Sequence, residues 1–318
     1  MTLIKVQVAP GVDKQDTEYG AEGRWTNTDN VRFRYGLPEK IGGWSKVTSD
    51  ALVGAARGII TWFSLDGDQY ALTGTNKKLY VYQNGSWYDI TPIRSTGDAI
   101  TQFATTAASS NVSVTDAAHG AIEGDFVTIS SATAPGSSSI TAAQLQGEFE
   151  IQSVTSTSVY VITSGGTEGG TGRTGGSATA EYQINTNSAV SVQGYGWGTG
   201  PWGGVSGGPG WSTSRATLAA PNSVELDSGK WSLDNWGEDV LAQKFDGGLY
   251  YWDTSAGLSS NAAATTSVSA GPTKSRFMLI SGDDRHVICL GTETTIADTS
   301  TQDNMFVRWS DQETTNTW

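Results

Sequence analysis

Residues 57–93 read RGIITWFSLDGDQYALTGTNKKLYVYQNGSWYDITPI, and their rhythm decides the fold. Together with Ala56, the run ending at Ser64 is apolar and β-branched, as in a strand. Leu65 to Gln69 supplies an Asp-Gly turn, which suits the positive φ angles of a tight hairpin. Tyr70–Thr75, Lys78–Gln83 and the run from Ser86 to Thr91 follow as further strands, set apart by Thr-Asn-Lys and Asn-Gly-Ser turns. Four short strands and no helical period make a β-meander.

The same order recurs downstream. Residues 231–253 read WSLDNWGEDVLAQKFDGGLYYWD, and residues 276–309 open with RFMLISGDDRHVICLGTETTIAD and close with MFVRW. An acidic turn follows the first strand in each unit: Asp66-Gly67-Asp68, Trp236-Gly237-Glu238-Asp239 and Gly282-Asp283-Asp284. A glycine-containing turn follows the second: Gly74-Thr75, Asp246-Gly247-Gly248 and Gly291-Thr292. Self-similarity at about 40 residues with several strands per unit is the signature of propeller blades. The expected fold class is therefore all-β, with propeller-like blades. The closing run NMFVRWSDQETTNTW reads as the start of another blade.

Between these units the composition changes. Residues 101–184 are rich in Thr, Ser, Ala and Gly and alternate as strands, so they read as a small β-barrel module inserted after the first blade. A short helix is expected near Thr141 to Gln146, and Gly165 to Gly176 reads as a flexible tip. Residues 185–228 read as a Gly/Trp-rich loop, 229–318 as further blade units, 51–100 as the first blade, and 1–50 as an extended assembly segment. Within that segment Val31, Phe33 and Tyr35 alternate with Arg32 and Arg34, as on a half-buried strand before a Gly-Leu-Pro turn.

Charge and composition exclude several roles. Nineteen Lys and Arg against 32 Asp and Glu leave a net charge of −13. Gripping DNA or an anionic membrane needs clustered cations, so neither is expected. One Cys and two His rule out a disulfide scaffold and leave little for a zinc site. The 12 Trp among 318 residues argue against disorder, because they can bury enough area to offset chain entropy.

No constellation reads as catalytic. Asp66, Asp68, Asp239, Asp283 and Asp284 fall in predicted turns, where carboxylates bond their own backbone. Such turns can offer oxygen to Ca²⁺, yet no 12-residue loop pattern is present, so neither a metal nor another cofactor is expected. His119 and His286 lack a nucleophile motif, and Cys289 lies between apolar strand residues. GYGWGTG near Gly194 has neither the following helix nor the Lys-Ser/Thr of a phosphate loop. Trp62, Tyr80, Tyr82, Trp87 and Tyr250 to Trp252 read as blade core, with a sugar-stacking surface as the alternative.

The opening PGVDKQDTEYGAEGRWTNTDNVRFRYGLPEKIGGW resembles that of tail nozzle or hub proteins of short-tailed bacteriophages, in its Pro-Gly-Val start, its Asp-Asn-Val-Arg-Phe-Arg run and its Pro-Glu-Lys-Ile-Gly-Gly-Trp corner. GTNKKLYVYQNGSWYDIT is similar to the first blade of such proteins, and the resemblance covers residues 9–93. It implies a non-catalytic virion protein assembled in the bacterial cytoplasm. It also implies a ring, taken as a hexamer, around the channel through which DNA is ejected without specific binding. Adaptor, portal or fibre proteins are the implied neighbours. The expected contact residues are Trp25, Arg32, Arg34, Trp44, Trp197, Trp202 and Trp211. Two alternatives stand beside this reading: a receptor-binding or baseplate tail protein, and a carbohydrate-binding or glycosidase propeller.

Overall fold

The computed structural model describes residues 8–43, 45–186, 230–264 and 271–318. Trp44, Trp197, Trp202 and Trp211 lie outside the described residues. The chain divides into two compact units, residues 1–49 and 50–318. Its fold is all-β.

The first unit holds a single hairpin, β1 (Val31–Arg34) and β2 (Leu37–Lys40), with Val31 opposite Lys40 and Arg34 opposite Leu37. Tyr35 and Gly36 turn the corner with φ of 50° and 77°. Among its described residues only Ala21 is buried.

In the second unit, β3 (Ala56–Phe63), β4 (Gln69–Thr75), β5 (Leu79–Gln83) and β6 (Ser86–Asp89) form a four-stranded antiparallel meander, blade 1. Asn84 and Gly85, both at positive φ, close the β5–β6 hairpin as an Asn-Gly turn demands. Six strands and one short piece then build a barrel. They are β7 (Ile93–Thr105), β8 (Asn111–Asp116), β9 (Phe126–Thr133), β10 (Gly147–Ser156), β11 (Val159–Thr163), β12 (Thr174–Gly175) and β13 (Ser177–Gln183). The order β7-β13-β9-β10-β11-β8 closes because β8 also pairs β7. Blade 2 follows as β14 (Trp231–Trp236), β15 (Asp239–Lys244), β16 (Leu249–Trp252) and β17 (Ala263–Ala264). Blade 3 is β18 (Phe277–Ile280), β19 (Val287–Leu290) and β20 (Val307–Trp309).

Strand alternation explains how the blades stack. Trp62, Leu72 and Val81 of blade 1 bury against Trp231, Val240, Ala242 and Trp252 of blade 2. Leu241 and Leu249, on the other face of blade 2, bury against Met278, Val287 and Cys289 of blade 3. Blade 2 is thus covered on both sides, which is why its central strand is apolar at successive positions rather than at every second one.

Three sequence readings are corrected. Gly74 is a strand residue of β4 rather than a turn residue: a Cβ there would lie 2.3 Å from Cγ of Trp231, so the position is glycine to admit that indole. Gly165–Gly176 is no loose tip, because Glu168 is 1% exposed and ties the run to the barrel. Its carboxylate accepts from Ser138 Oγ at 2.6 Å, Thr105 Oγ1 at 2.8 Å and the Ser139 backbone at 3.0 Å. The closing run starts no new blade: Val307 pairs Leu290 and Trp309 pairs Ile288, so it is the third strand of blade 3. The helix expected near Thr141 is one 3₁₀ turn, Ala142–Leu145, with the Thr141 N–H donating to Gln144 at 2.9 Å. The barrel's first strand begins at Ile93, ahead of the composition change, and the Ile184 N–H donates to Pro92 O at 2.9 Å, which brings the two ends of the barrel segment together.

Candidate functional site

Asp68, Asp239, His119 and His286, among the groups that could carry chemistry, are engaged in structure. Asp239 accepts from the Tyr251 hydroxyl and, at 2.9 Å, from the Thr254 backbone; Asp68 accepts from Gln83 at 3.0 Å. Nδ1 of His119 accepts from the Ala121 N–H at 3.0 Å, so Nε2 is left to donate to Ser156 O at 3.1 Å. Those two contacts select one neutral tautomer. His286 Nδ1 lies 2.8 Å from Ser310 O. Cys289 is fully buried, and burial pushes its thiol up to about 12, far from a reactive thiolate. Among the described residues no three His, Cys, Asp or Glu side chains gather as a metal would need, and no helix is long and apolar enough to cross a membrane.

The charged centre of the second unit joins blade 1 to the barrel. Lys78, 3% exposed, donates to Asp89 at 2.5 Å and to Glu148 of β10 at 2.6 Å, with its ammonium 4.4 Å from the centre of the Phe126 ring. Burial alone would lower its pKa, but the two carboxylates outweigh that and raise it. Gln183 donates to Glu148 at 2.8 Å, and Lys77 pairs with Glu150. The sequence places Lys77 in a turn and Lys78 at the start of a strand; the carboxylates that the barrel brings to them are not visible there.

At the same end of the barrel, Asp125 is 5% exposed. It accepts from the Ile122 N–H at 2.8 Å and from the Asn185 amide, and burial pushes its pKa up to about 6. Inside the barrel, the Tyr182 hydroxyl donates to Asp116 at 2.5 Å and meets the Tyr160 hydroxyl at 3.0 Å. Burial raises the pKa of Asp116, Tyr160 and Tyr182.

Two kinds of exposed apolar surface remain. One is the first unit, where Tyr19 is 95%, Tyr35 91% and Val47 80% exposed. There Trp25 bridges to Val12 and lies 6.1 Å from the Phe33 ring. Arg32 pairs with Glu39 at 3.1 Å, and Arg34 covers the Tyr35 ring at 5.3 Å. Trp25, Arg32 and Arg34 thus share one small unit. The other lies on β3 at the edge of blade 1, where Ile59 and Phe63 are exposed while Thr73 and Tyr80 on the same face are buried, and on blade 3, where Phe277, Val307 and Trp309 are exposed.

No protein-family model and no curated protein matches the chain. Among solved structures, a phage phi92 endosialidase matches over 86% of this chain and 40% of its own, at 12% identity and a TM-score of 0.23. The chain thus spans less than half the length of that protein, and a superposition of that quality carries no argument about fold or activity.

Proposed function

We propose that the chain is a non-catalytic structural protein of a bacteriophage tail, one copy in a ring, taken as six-fold, around the DNA channel. The observation that carries this reading is the first unit. Its described residues bury only Ala21, while Tyr19, Tyr35, Leu37 and Val47 stand exposed. Segments of about 40 residues rarely hold a fold without a disulfide, a metal or a partner. With the single cysteine at Cys289, no disulfide can hold this unit, and a partner that covers those side chains fits their exposure. The Val31–Lys40 hairpin within it also lies in the stretch, residues 9–93, whose sequence resembles phage tail proteins.

The charge of −13 per copy suits a wall that DNA passes without adhering, since it offers few phosphate contacts. Portal, adaptor or fibre proteins would be its neighbours along the tail. The test is quantitative mass spectrometry of salt-washed virions, followed by imaging with the protein labelled. Several copies per particle at the tail are expected, and absence from intact particles sinks the reading. Glycan hydrolysis lost on substitution of one carboxylate would replace it with the carbohydrate-active alternative.

A further inference from the structure

We infer that the barrel is hinged on the blades and held shut by a charged clasp, so that it swings as a rigid module about the two connections at residues 90–93 and 183–186. The inference is independent of the tail reading.

The barrel and the blades share no apolar core. The buried cluster that runs from Ile100 to Tyr182 holds barrel residues only, and the cluster between blades 1 and 2 holds none of them. Polar side chains bridge the junction instead. Glu148 and Glu150, two residues apart on β10, share one face of that strand and meet Lys78 and Lys77 of blade 1. The Lys78 ammonium also faces the Phe126 ring of the barrel. Modules that are not joined through a large apolar interface move relative to one another as a rule.

The clasp is built to part. Breaking a buried ion pair ordinarily strands one charge without a partner, and that is what makes it costly. Here each half keeps a partner of its own. Lys78 holds Asp89 of its own blade at 2.5 Å as well as Glu148 at 2.6 Å. Asp89 is fixed in turn by the Thr91 N–H at 2.9 Å. On the barrel side, Glu148 retains the Gln183 amide, which donates to it at 2.8 Å. Glu148 and Glu150 are partly exposed already, so opening adds water to groups that are half hydrated. No buried apolar side chain of either cluster is uncovered.

The connections supply the axis. Their blade ends are anchored: Ile90 and Ile184 lie in the blade core, the Ala262 N–H donates to Ile90 O at 2.8 Å, and the Thr186 hydroxyl donates to Asn76 O at 3.1 Å. Their barrel ends are the paired residues Ile93 and Gln183 of β7 and β13. Between these ends the two segments run side by side, with the Ile184 N–H on Pro92 O at 2.9 Å. Two adjacent crossings restrict the motion to a bend, where a single one would act as a tether. Asp125 and Lys244 both hold Asn185 beside this bend, whereas the Lys77 and Lys78 clasp lies on another strand of the barrel.

The test uses the full chain with nitroxide labels on Thr157→Cys, in the exposed β10–β11 turn, and Asp283→Cys, in the exposed β18–β19 turn. Cys289 is buried and takes no label. Pulsed electron spin resonance reads the distance between the two bodies. Combining Glu148→Gln with Glu150→Gln should raise the fraction of molecules at a displaced distance at least about threefold, as for the loss of two partly exposed ion pairs. A control pair within the barrel, Thr157→Cys and Ser137→Cys, should keep its distance. An unchanged distribution between the bodies overturns the inference. A control pair that moves as well also overturns it, because the barrel has then opened its own sheet. If the double variant does not fold, the parent chain is read with the same labels as salt rises from about 20 mM to about 1 M, which screens the exposed carboxylates. The displaced fraction should grow, and a distribution that stays fixed across that range overturns the hinge.

Discussion

The barrel and the blades are made of the same short antiparallel strands, yet the barrel ends on itself and the blade stack does not. β7 is paired on both edges, by β13 and β8, so the barrel has no free edge. Its inward polar groups are bonded among themselves, through Tyr182 with Asp116 and Glu168 with Ser138. The stack, by contrast, buries blade 2 on both faces and leaves apolar side chains exposed at its ends, Ile59 and Phe63 on the edge strand of blade 1 and Phe277, Val307 and Trp309 on blade 3. Closure lets a sheet satisfy itself, whereas an open stack of sheets carries a demand for a neighbour at each end. The difference separates a module whose sheet closes on itself from a stack whose outer strands keep apolar side chains exposed.

The sharpest way to break this comparison is to separate the two. Residues 93–184, expressed alone, should unfold in one cooperative transition, because their core of Phe103, Ile129, Tyr160 and Tyr182 is complete. The remainder, with Pro92 joined to Ile184 through one glycine, should stay soluble and β-rich, since the Lys78–Asp89 pair that removing the barrel uncovers is hydrated. A barrel fragment without a cooperative transition would show that closure does not suffice.

Next in size is the contact between blades 1 and 2. Trp231 is 6% exposed and its Nε1–H donates to Thr75 O at 2.8 Å. Trp231→Ala should cost about 3–5 kcal/mol. The loss should fall on the blades, with amide exchange in β9 and β13 of the barrel unchanged. Equal loss of protection in both regions would mean that they unfold as one.

Within the barrel, Tyr182→Phe takes away the hydroxyl that donates to Asp116, a carboxylate 3% exposed. Leaving a buried charged acceptor short of a partner should cost about 2–3 kcal/mol by urea denaturation. A cost below about 0.5 kcal/mol would mean that Asp116 finds water, and that the barrel is less self-contained than its bonding indicates.

Strand rhythm made the all-β class and the meanders legible in the sequence, because apolar alternation and Asn-Gly or Asp-Gly turns are local signals. Contacts distant in sequence were not. Gly74 reads as punctuation, since nothing nearby announces that Trp231, far along the chain, will lie on it. Glu168 hides in a glycine-rich run that composition labels as loose, and only the fold brings Ser138 and Thr105 to its carboxylate. Lys78 likewise reads as an ordinary first residue of a strand, and only the fold brings Glu148 of the barrel to it. Of the expected contact residues, Trp25, Arg32 and Arg34 share the small first unit, and the others fall outside the described residues.

The smallest effect concerns the one place where the barrel depends on what lies outside its strands. Asp125 at its mouth is held by Ile122 and by Asn185, beyond β13, and Lys244 of blade 2 bonds the Asn185 carbonyl. Burial raises the Asp125 pKa to about 6. The folded protein therefore holds this proton more tightly than the unfolded chain, whose carboxyl titrates near 4. The stabilisation is fully present below pH about 4 and is lost as the pH rises through about 6, so this group favours the folded state in acid. Asp125→Asn keeps the shape and still accepts from Ile122, while Asn185 can turn its oxygen toward the new amide. The variant should lose this group's pH dependence and be more stable than wild type at pH 7.5, by on the order of 1–2 kcal/mol after solvent screening. Urea midpoints at pH 4.5, 6.0 and 7.5 read the difference, which should grow with pH. If the two proteins run parallel across that window, Asp125 is solvated, and the barrel mouth is as independent of the blades as its core.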